Sequence, residues 1–421
     1  MGNRLTRRRV LALGAGASVG GLLNARRTRG DAGGAPREAR DRLRTRDRPT
    51  DRTRSGTDDS GAPVDVRGAV YIPARAYNRY QMWHDYDPAV VERDLGYAAR
   101  LDLNALRTWL SYEFWLQDPE AHLDALEHFL DTADRYGIRI LLGLFDGVGR
   151  EPTYENLIDD DPLTAVQTHS PSTRTVRNEE LWDEPRRYVE RFMDRYRDDD
   201  RLLAIELTNE PGWSRAEVRF SREMAGALAD RRGDVPLTVG STSLANNAEY
   251  LGWGMDIVQF HYNFPRTRGI YRRVLRQANH VAAELGKPVW LSEWQRAREP
   301  ESGALGVPVL EATGSDTHDA RRTPDYASLA PLVRDAGVGN FFWSLMLKPA
   351  FTLAVRKRGV INGLFHEDGA VWSLDDARAI KSMSGDPTFE GLQRREYPEW
   401  AEVIKERATN EPGAGESGES S

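Results

Sequence analysis

From residue 65 onward the chain alternates short apolar runs rich in β-formers with longer stretches in which apolar residues recur every three or four positions. The runs are Val66–Ile72, Asn104–Leu110, Ile138–Phe145, Leu202–Thr208, Leu237–Ser241, Asp256–Tyr262, Pro288–Glu293 and Gly339–Met346. Helical stripes lie between them: Val91/Leu95/Ala98, Leu123/Leu126/Leu130/Ala133, Tyr188/Phe192/Tyr196, Met224/Ala225/Leu228, Val274/Ala278/Val281/Leu285 and Leu329/Leu332/Val333/Ala336. The strands are too apolar to present a wet face, the signature of a parallel sheet covered by helices. Eight such units predict an α/β fold of the (β/α)8 TIM-barrel type, with functional groups at the C-terminal strand ends and long loops after strands three, seven and eight. A doubly wound open sheet is the alternative; it is weakened because no strand leads into a G-x-G-x-x-G turn or a phosphate-binding loop.

The pattern fails at both ends. Thr6-Arg7-Arg8-Arg9-Val10-Leu11 opens a weakly apolar stretch that runs to Leu23, too short to span a membrane. It resembles a twin-arginine export signal. Residues 24–64 are Arg, Asp, Gly, Ser and Thr with almost no large apolar side chain, so they bury too little surface to offset their ordering entropy. The expected organisation is a signal segment at 1–23, a linker at 24–64, one folded domain at 65–407 and a polar tail at 408–421. The expected location is outside the cell, reached through the twin-arginine machinery.

Composition sharpens this picture. The 421 residues include no Cys, which excludes disulfide frameworks, thiolate metal sites and cysteine nucleophiles. The first 64 residues carry fifteen Arg against seven Asp and Glu, so a formal charge of −7 for the whole chain leaves −15 on the remainder. Only five of the 58 basic residues are Lys. An acidic body poor in Lys suits a protein kept soluble at high salt, and a halophilic origin is expected. A nucleic-acid partner is disfavoured, because phosphate binding requires a basic face.

Two of the strands end in glutamate, at Asn209-Glu210-Pro211 and at Ser292-Glu293-Trp294. A carboxylate at the end of a buried strand is costly unless it is paired, hydrogen-bonded or protonated. Glycoside cleavage supplies a reason, since it needs two carboxyl groups flanking one bond, one as acid and one as nucleophile or base. Arg107, near the end of strand two, could hold the nucleophilic carboxylate ionised. Asn209 could bond a sugar 2-hydroxyl, His261 and Tyr262 reach the same mouth from strand six, and Trp343 could floor a sugar ring. Trp83, Trp109, Trp115, Trp213, Trp253, Trp294 and Trp372 lie on predicted loops or strand ends, where several could stack on sugars.

Leu106-Arg107-Thr108-Trp109, Glu206-Leu207-Thr208-Asn209-Glu210-Pro211, Phe260-His261-Tyr262, Lys287-Pro288-Val289-Trp290-Leu291-Ser292-Glu293-Trp294 and Phe342-Trp343 stand in the order of the family 5 glycoside hydrolases, the cellulase and β-mannanase family, which the chain resembles over nearly all of 65–407. The resemblance implies a retaining barrel with Glu210 as acid/base and Glu293 as nucleophile. It also implies substrate contacts from Arg107, Asn209, His261, Tyr262, Trp294 and Trp343, an oligosaccharide or polysaccharide substrate and no cofactor. The Arg-Thr-Trp of strand two looks closer to the mannanase branch, and the expectation is endo action on β-1,4-mannan or β-1,4-glucan by a monomer. Two positions depart from the family pattern. Phe145-Asp146-Gly147 stands where a His is usual after strand three, and the family's His-x-Tyr on strand six reads His261-Tyr262-Asn263, so that either Tyr262 takes the family tyrosine's contact with the nucleophile in a shifted geometry or that contact is absent.

The alternative is a secreted carbohydrate-binding barrel with little or no turnover. A metal-dependent hydrolase is disfavoured, since the eight His are scattered and form no H-x-H or H-E-x-x-H spacing. Asp159-Asp160-Asp161 lacks the alternating Gly or Asn of a calcium loop and reads as a solvated acidic run. The leader yields a direct test: replacing Arg7 and Arg8 by Lys should retain the protein inside the cell, and unchanged secretion, measured by immunoblot of medium and cells, would refute export by this route.

Overall fold

The computed structural model describes residues 65–410 apart from 264, 266, 296–324, 352 and 358. The signal segment, the linker and most of the tail and of the loop after the seventh strand lie outside the described residues. Eight strands form one parallel sheet: β1 (Arg67–Val70), β2 (Ala105–Trp109), β3 (Arg139–Asp146), β4 (Leu202–Asn209), β5 (Leu237–Gly240), β6 (Val258–His261), β7 (Val289–Trp294) and β8 (Gly339–Phe342). Their order, β5-β4-β3-β2-β1-β8-β7-β6, is circular, with β1 pairing β8. The ring is completed between β5 and β6 by a bridge from Thr238 to Ile257 and by the Thr238 hydroxyl donating to the Ile257 carbonyl at 2.9 Å. This is the (β/α)8 barrel read from the sequence; five strands lie within their predicted runs, and β3, β4 and β7 each extend one residue beyond, to Asp146, Asn209 and Trp294.

The covering helices form where apolar periodicity and capping agree. Pro88–Arg100 starts on Asp87, whose side chain accepts from the Ala89 amide at 2.9 Å, and has Pro in its first turn. Pro119–Arg135 buries Leu123, Leu126, Leu130 and Ala133, the predicted stripe. Arg215–Asp230 opens with a capping box between Ser214 and Glu217. The helix Arg268–Leu285 differs from expectation: its buried residues are Tyr271, Leu275 and Ala278, and Leu285 is 41% exposed. Tyr271 turns the helix, because its fully buried ring stacks under Tyr262 at 5.5 Å and takes the core face.

Loops are long where functional groups are expected. The connection after β3 runs to the helix starting at Asp183 and holds the short helices Tyr154–Ile158 and Thr173–Arg177. The connection after β8 holds a two-stranded ribbon, Lys348–Pro349 with Ile361–Asn362. The acidic run after β3 caps its own turn: Asp159 Oδ1 accepts from the Asp161 amide, and Asp161 Oδ1 from the Leu163 amide.

Candidate active site

The interior of the barrel carries a charged layer. Arg107 on β2, Glu206 on β4 and Gln259 on β6 meet at one level, as alternate strands do in this fold. Arg107 and Glu206 form a bidentate pair, Nε to Oε2 and Nη2 to Oε1, each 2.8 Å, and both side chains are fully buried. Glu206 also accepts from Trp109 Nε1 at 3.0 Å and Gln259 Nε2 at 3.1 Å. The pair needs room beside β5, and Gly240 provides it: a Cβ there would stand 2.6 Å from both Arg107 Nη2 and Glu206 Oε1.

Above this layer sit the groups singled out in the sequence. Arg107 Nη2 donates to Asn209 Oδ1 at 2.8 Å, and Nη1 reaches Glu293 Oε2 at 3.5 Å. Arg107 therefore touches Glu293, but its main partner is Glu206. A glutamate in the middle of an apolar strand was the signal for that partner, since a buried charge demands one. Asn209 has its carbonyl on Arg107 and donates through Nδ2 to Asp146 Oδ1 at 2.9 Å. Asp146, standing where the family pattern has His, is held by Arg79 at 2.7 Å, Gln167 Nε2 at 2.6 Å and the Val148 amide at 3.0 Å.

Glu210 follows β4 with φ of 38°, a left-handed conformation costly for a residue with a side chain. Its amide donates to the Gly240 carbonyl at 2.7 Å, and the Gly147 amide donates to Asn209 at the same distance. Only glycine fits at 147, since a Cβ there would lie 2.3 Å from the Glu210 carbonyl oxygen. The backbone thus directs the Glu210 carboxyl toward β6, where His261 Nδ1 lies 2.5 Å from Oε1 and 3.7 Å from Glu293 Oε2.

Two expected contacts are corrected. Tyr262 does not take the nucleophile-contacting role: its ring stacks on Tyr271 at 5.5 Å, and the next residue, Asn263, donates through Nδ2 to Glu293 Oε1 at 2.7 Å. Asn263 occupies the third position of His-x-Tyr, so an amide replaces the family phenol. Trp294 is not a sugar contact, because it is fully buried with Nε1 on Asn340 Oδ1 at 3.0 Å. Trp343 stays at the mouth end of β8, its ring edge-on to Phe351 at 5.1 Å. Of the other candidate tryptophans, Trp83, Trp109, Trp115 and Trp372 are buried, while Trp213 is 54% exposed.

Among the described residues, Glu210, His261 and Glu293 bring together three potential metal-ligating atoms, all within 4.8 Å of one another. The same cluster fixes the proton balance. Burial pushes the Glu210 carboxyl up, but the hydrogen bond and charge of His261, with Arg107 behind, outweigh it and draw Glu210 below the usual carboxylate value. At Glu293 burial wins: His261, Arg107 and Asn263 oppose it, Glu210 adds repulsion, and the carboxyl is raised. This differs from the expectation that Arg107 holds the nucleophilic carboxylate ionised, and the cause is His261, which lies closer to Glu210.

No family model and no curated protein matches the chain. Solved structures match it: the exo-β-1,4-mannosidase Op5Man5 from Opitutaceae bacterium strain TAV5 at a TM-score of 0.53, 16% identity and 78% of this chain. A GH5_18 variant from Streptomyces cattleya, in complex with Manβ1-4GlcNAc, matches at 0.50, 14% identity, 82% of this chain and 88% of that one. ZgEngAGH5_4 in complex with a cellotriose matches at 0.50, 14% identity, 78% of this chain and 98% of that one. The chain has the fold of the family 5 glycoside hydrolases. It spans 60% of the length of Op5Man5. At these identities the family 5 likeness is one of fold, and the chemistry rests on the residues above.

Two substitutions test this geometry. Glu206→Gln strands the Arg107 charge in the barrel and should cost about 3–5 kcal/mol, read from the denaturant midpoint; a loss below about 1 kcal/mol would contradict the central role of the pair. Asn263→Ala removes a donor that favours the ionised form of Glu293, so the Glu293 pKa should move further up in a carbon-13 carboxyl titration, and an unmoved value would refute the assignment.

Proposed function

We propose that this protein is a retaining glycoside hydrolase acting on β-1,4-linked mannan or glucan chains. The observation that carries the reading is the meeting of Glu210 and Glu293 from opposite strands, with oxygens within 4.8 Å. Retaining enzymes hold their carboxyls at roughly 5–5.5 Å, and inverting enzymes need a wider gap for a water. The complexes with Manβ1-4GlcNAc and cellotriose among the structures of similar fold support the β-1,4-linked class.

Glu293 attacks the anomeric carbon while Glu210 protonates the leaving oxygen, and Glu210 then draws a proton from the water that releases the sugar. The first step needs the proton on Glu210. His261 Nδ1 lies within 3.7 Å of both carboxyls. A proton held at Glu293 in the free enzyme therefore has a short route to Glu210 when a sugar enters between them. Arg107 and Asn263 stabilise the nucleophile once it is ionised. The unpaired hydrogen of Asn209 Nδ2 remains for the sugar 2-hydroxyl. We also propose that the enzyme works outside the cell at high salt, on the strength of its leader and its acidic, Lys-poor body.

Glu293→Gln should abolish nearly all turnover of β-1,4-oligosaccharides with the fold intact by circular dichroism. Glu210→Ala should still cleave substrates with good leaving groups, and added azide should rescue it and yield a β-glycosyl azide. Proton NMR of the wild-type reaction should show the β-anomer first; an initial α-anomer would falsify retention. Binding without release of sugar by the wild type would favour a carbohydrate-binding barrel instead.

A further inference from the structure

We propose that the enzyme is exo-acting, removing single sugars from the non-reducing end of its glycan, and not the endo-acting enzyme that the sequence suggests. This rests on the glycosidase reading above. The ends of β4 and β7 divide the mouth into two arcs, one over β5 and β6 and the other over β8, β1, β2 and β3. Around the second arc, among the described residues, a run of contacting side chains links the end of β4 to the end of β8. Asn209 bonds Asp146 at 2.9 Å, Asp146 pairs with Arg79 at 2.7 Å, the Arg79 guanidinium lies 5.4 Å from the Phe351 ring, and Phe351 meets Trp343 at 5.1 Å. This belt runs from the end of β4 to the end of β8.

Behind the belt the loops after β1, β3 and β8 are bonded into one wall by buried side chains. Lys348 Nζ donates to the carbonyls of Pro73, Ala74 and Ala76 at 2.6, 3.2 and 2.6 Å, joining the β8 loop to the β1 loop. Arg356 donates to Pro162 at 3.2 Å and Ala165 at 2.6 Å, joining the β8 loop to the β3 loop. Asn78 Nδ2 lies 3.1, 3.2 and 3.4 Å from the carbonyls of Asn156, Leu157 and Val166, and Gln81 bonds Asp159 at 2.8 Å, closing the triangle between the β1 and β3 loops. Backbone groups satisfied by buried donors in this way resist opening, because parting them leaves both charge and carbonyls unpaired.

The chemistry assigns the two sides. Glu210 delivers its proton to the leaving oxygen, so the departing part of the chain lies on the side of Glu210. There, three residues after Glu210, Trp213 presents an exposed ring nearly parallel to that of Tyr250, at 6.3 Å and 16°. Such a face suits the apolar side of a leaving sugar. The sugar that is attacked lies toward Trp343, and beyond it stands the belt. An internal segment of a glycan would have to pass through the belt, whereas a terminal sugar stops against it.

The test is the product pattern of the full-length protein on borohydride-reduced β-1,4-mannohexaose and cellohexaose, whose reduced end marks direction, followed by mass spectrometry. The first products should be free monosaccharide and the marked pentaose, followed by the marked tetraose. Marked fragments shorter than the pentaose at the earliest time point would overturn exo action and leave the glycosidase reading standing. No product from either hexaose, with no covalent capture of Glu293 by 2-deoxy-2-fluoro-β-glycosides, would overturn both. In an Arg79→Ala/Phe351→Ala double variant the belt is cut, and internal fragments should rise at least about tenfold relative to monosaccharide; a folded variant that still releases only monosaccharide would overturn the role of the belt. If that variant does not fold, the wild-type pattern alone decides.

Discussion

The Arg107–Glu206 pair at the centre of the barrel is the interaction on which the site depends. A buried ion pair is not in itself a source of stability, because desolvating both partners offsets much of their attraction. Its value here is positional. Glu206 takes both arms of the guanidinium fork, and the remaining hydrogens of Arg107 are aimed at Asn209, the Ser292 carbonyl and Glu293. One planar group on β2 thus fixes the ends of β4 and β7 at once, and Trp109 and Gln259 lock the carboxylate from the other side. Gly240 belongs to the same constraint, since any side chain there would occupy the space of the pair.

The reactive groups inherit this order through short links. Asn209 is held by Arg107 and in turn holds Asp146, and Gly147 packs against the left-handed Glu210 backbone. His261 is placed between two carboxyls that would otherwise repel each other. One imidazole at 2.5 and 3.7 Å from the two carboxyls lowers the cost of keeping both acids buried.

The architecture was legible because each strand is a buried apolar run and most covering helices show their stripe; both are period signals that survive without tertiary knowledge. The carboxylate pair was legible for a related reason, since Glu210 and Glu293 stand where an apolar run stops. What failed were side-chain directions at the same strand ends. Strand alternation predicts which face a residue points to only while register holds, and register shifts between Phe260 and His261, between Leu291 and Trp294, and between Glu206 and Asn209. Those shifts bring Asn263, not Tyr262, onto Glu293 and sink Trp294 into the core. Arg79 and Asp146 lie 67 residues apart in the chain and were joined by no local pattern, so the belt they begin was invisible before the fold was known.

The interactions that shape the site also differ in kind from those on the surface. Outside, pairs such as Arg186 with Asp183 and Glu223, or Arg231 with Asp194 and Glu190, are solvent-accessible and weaken as salt screens them. Inside, Arg107 has a carboxylate partner sealed from ions, and Lys348 and Arg356 are held largely by backbone carbonyls. Dipole partners at hydrogen-bond distance in a buried setting are little affected by ionic strength, and they fix geometry through direction as well as through charge. The contacts that define the mouth are therefore the ones that added salt reaches least.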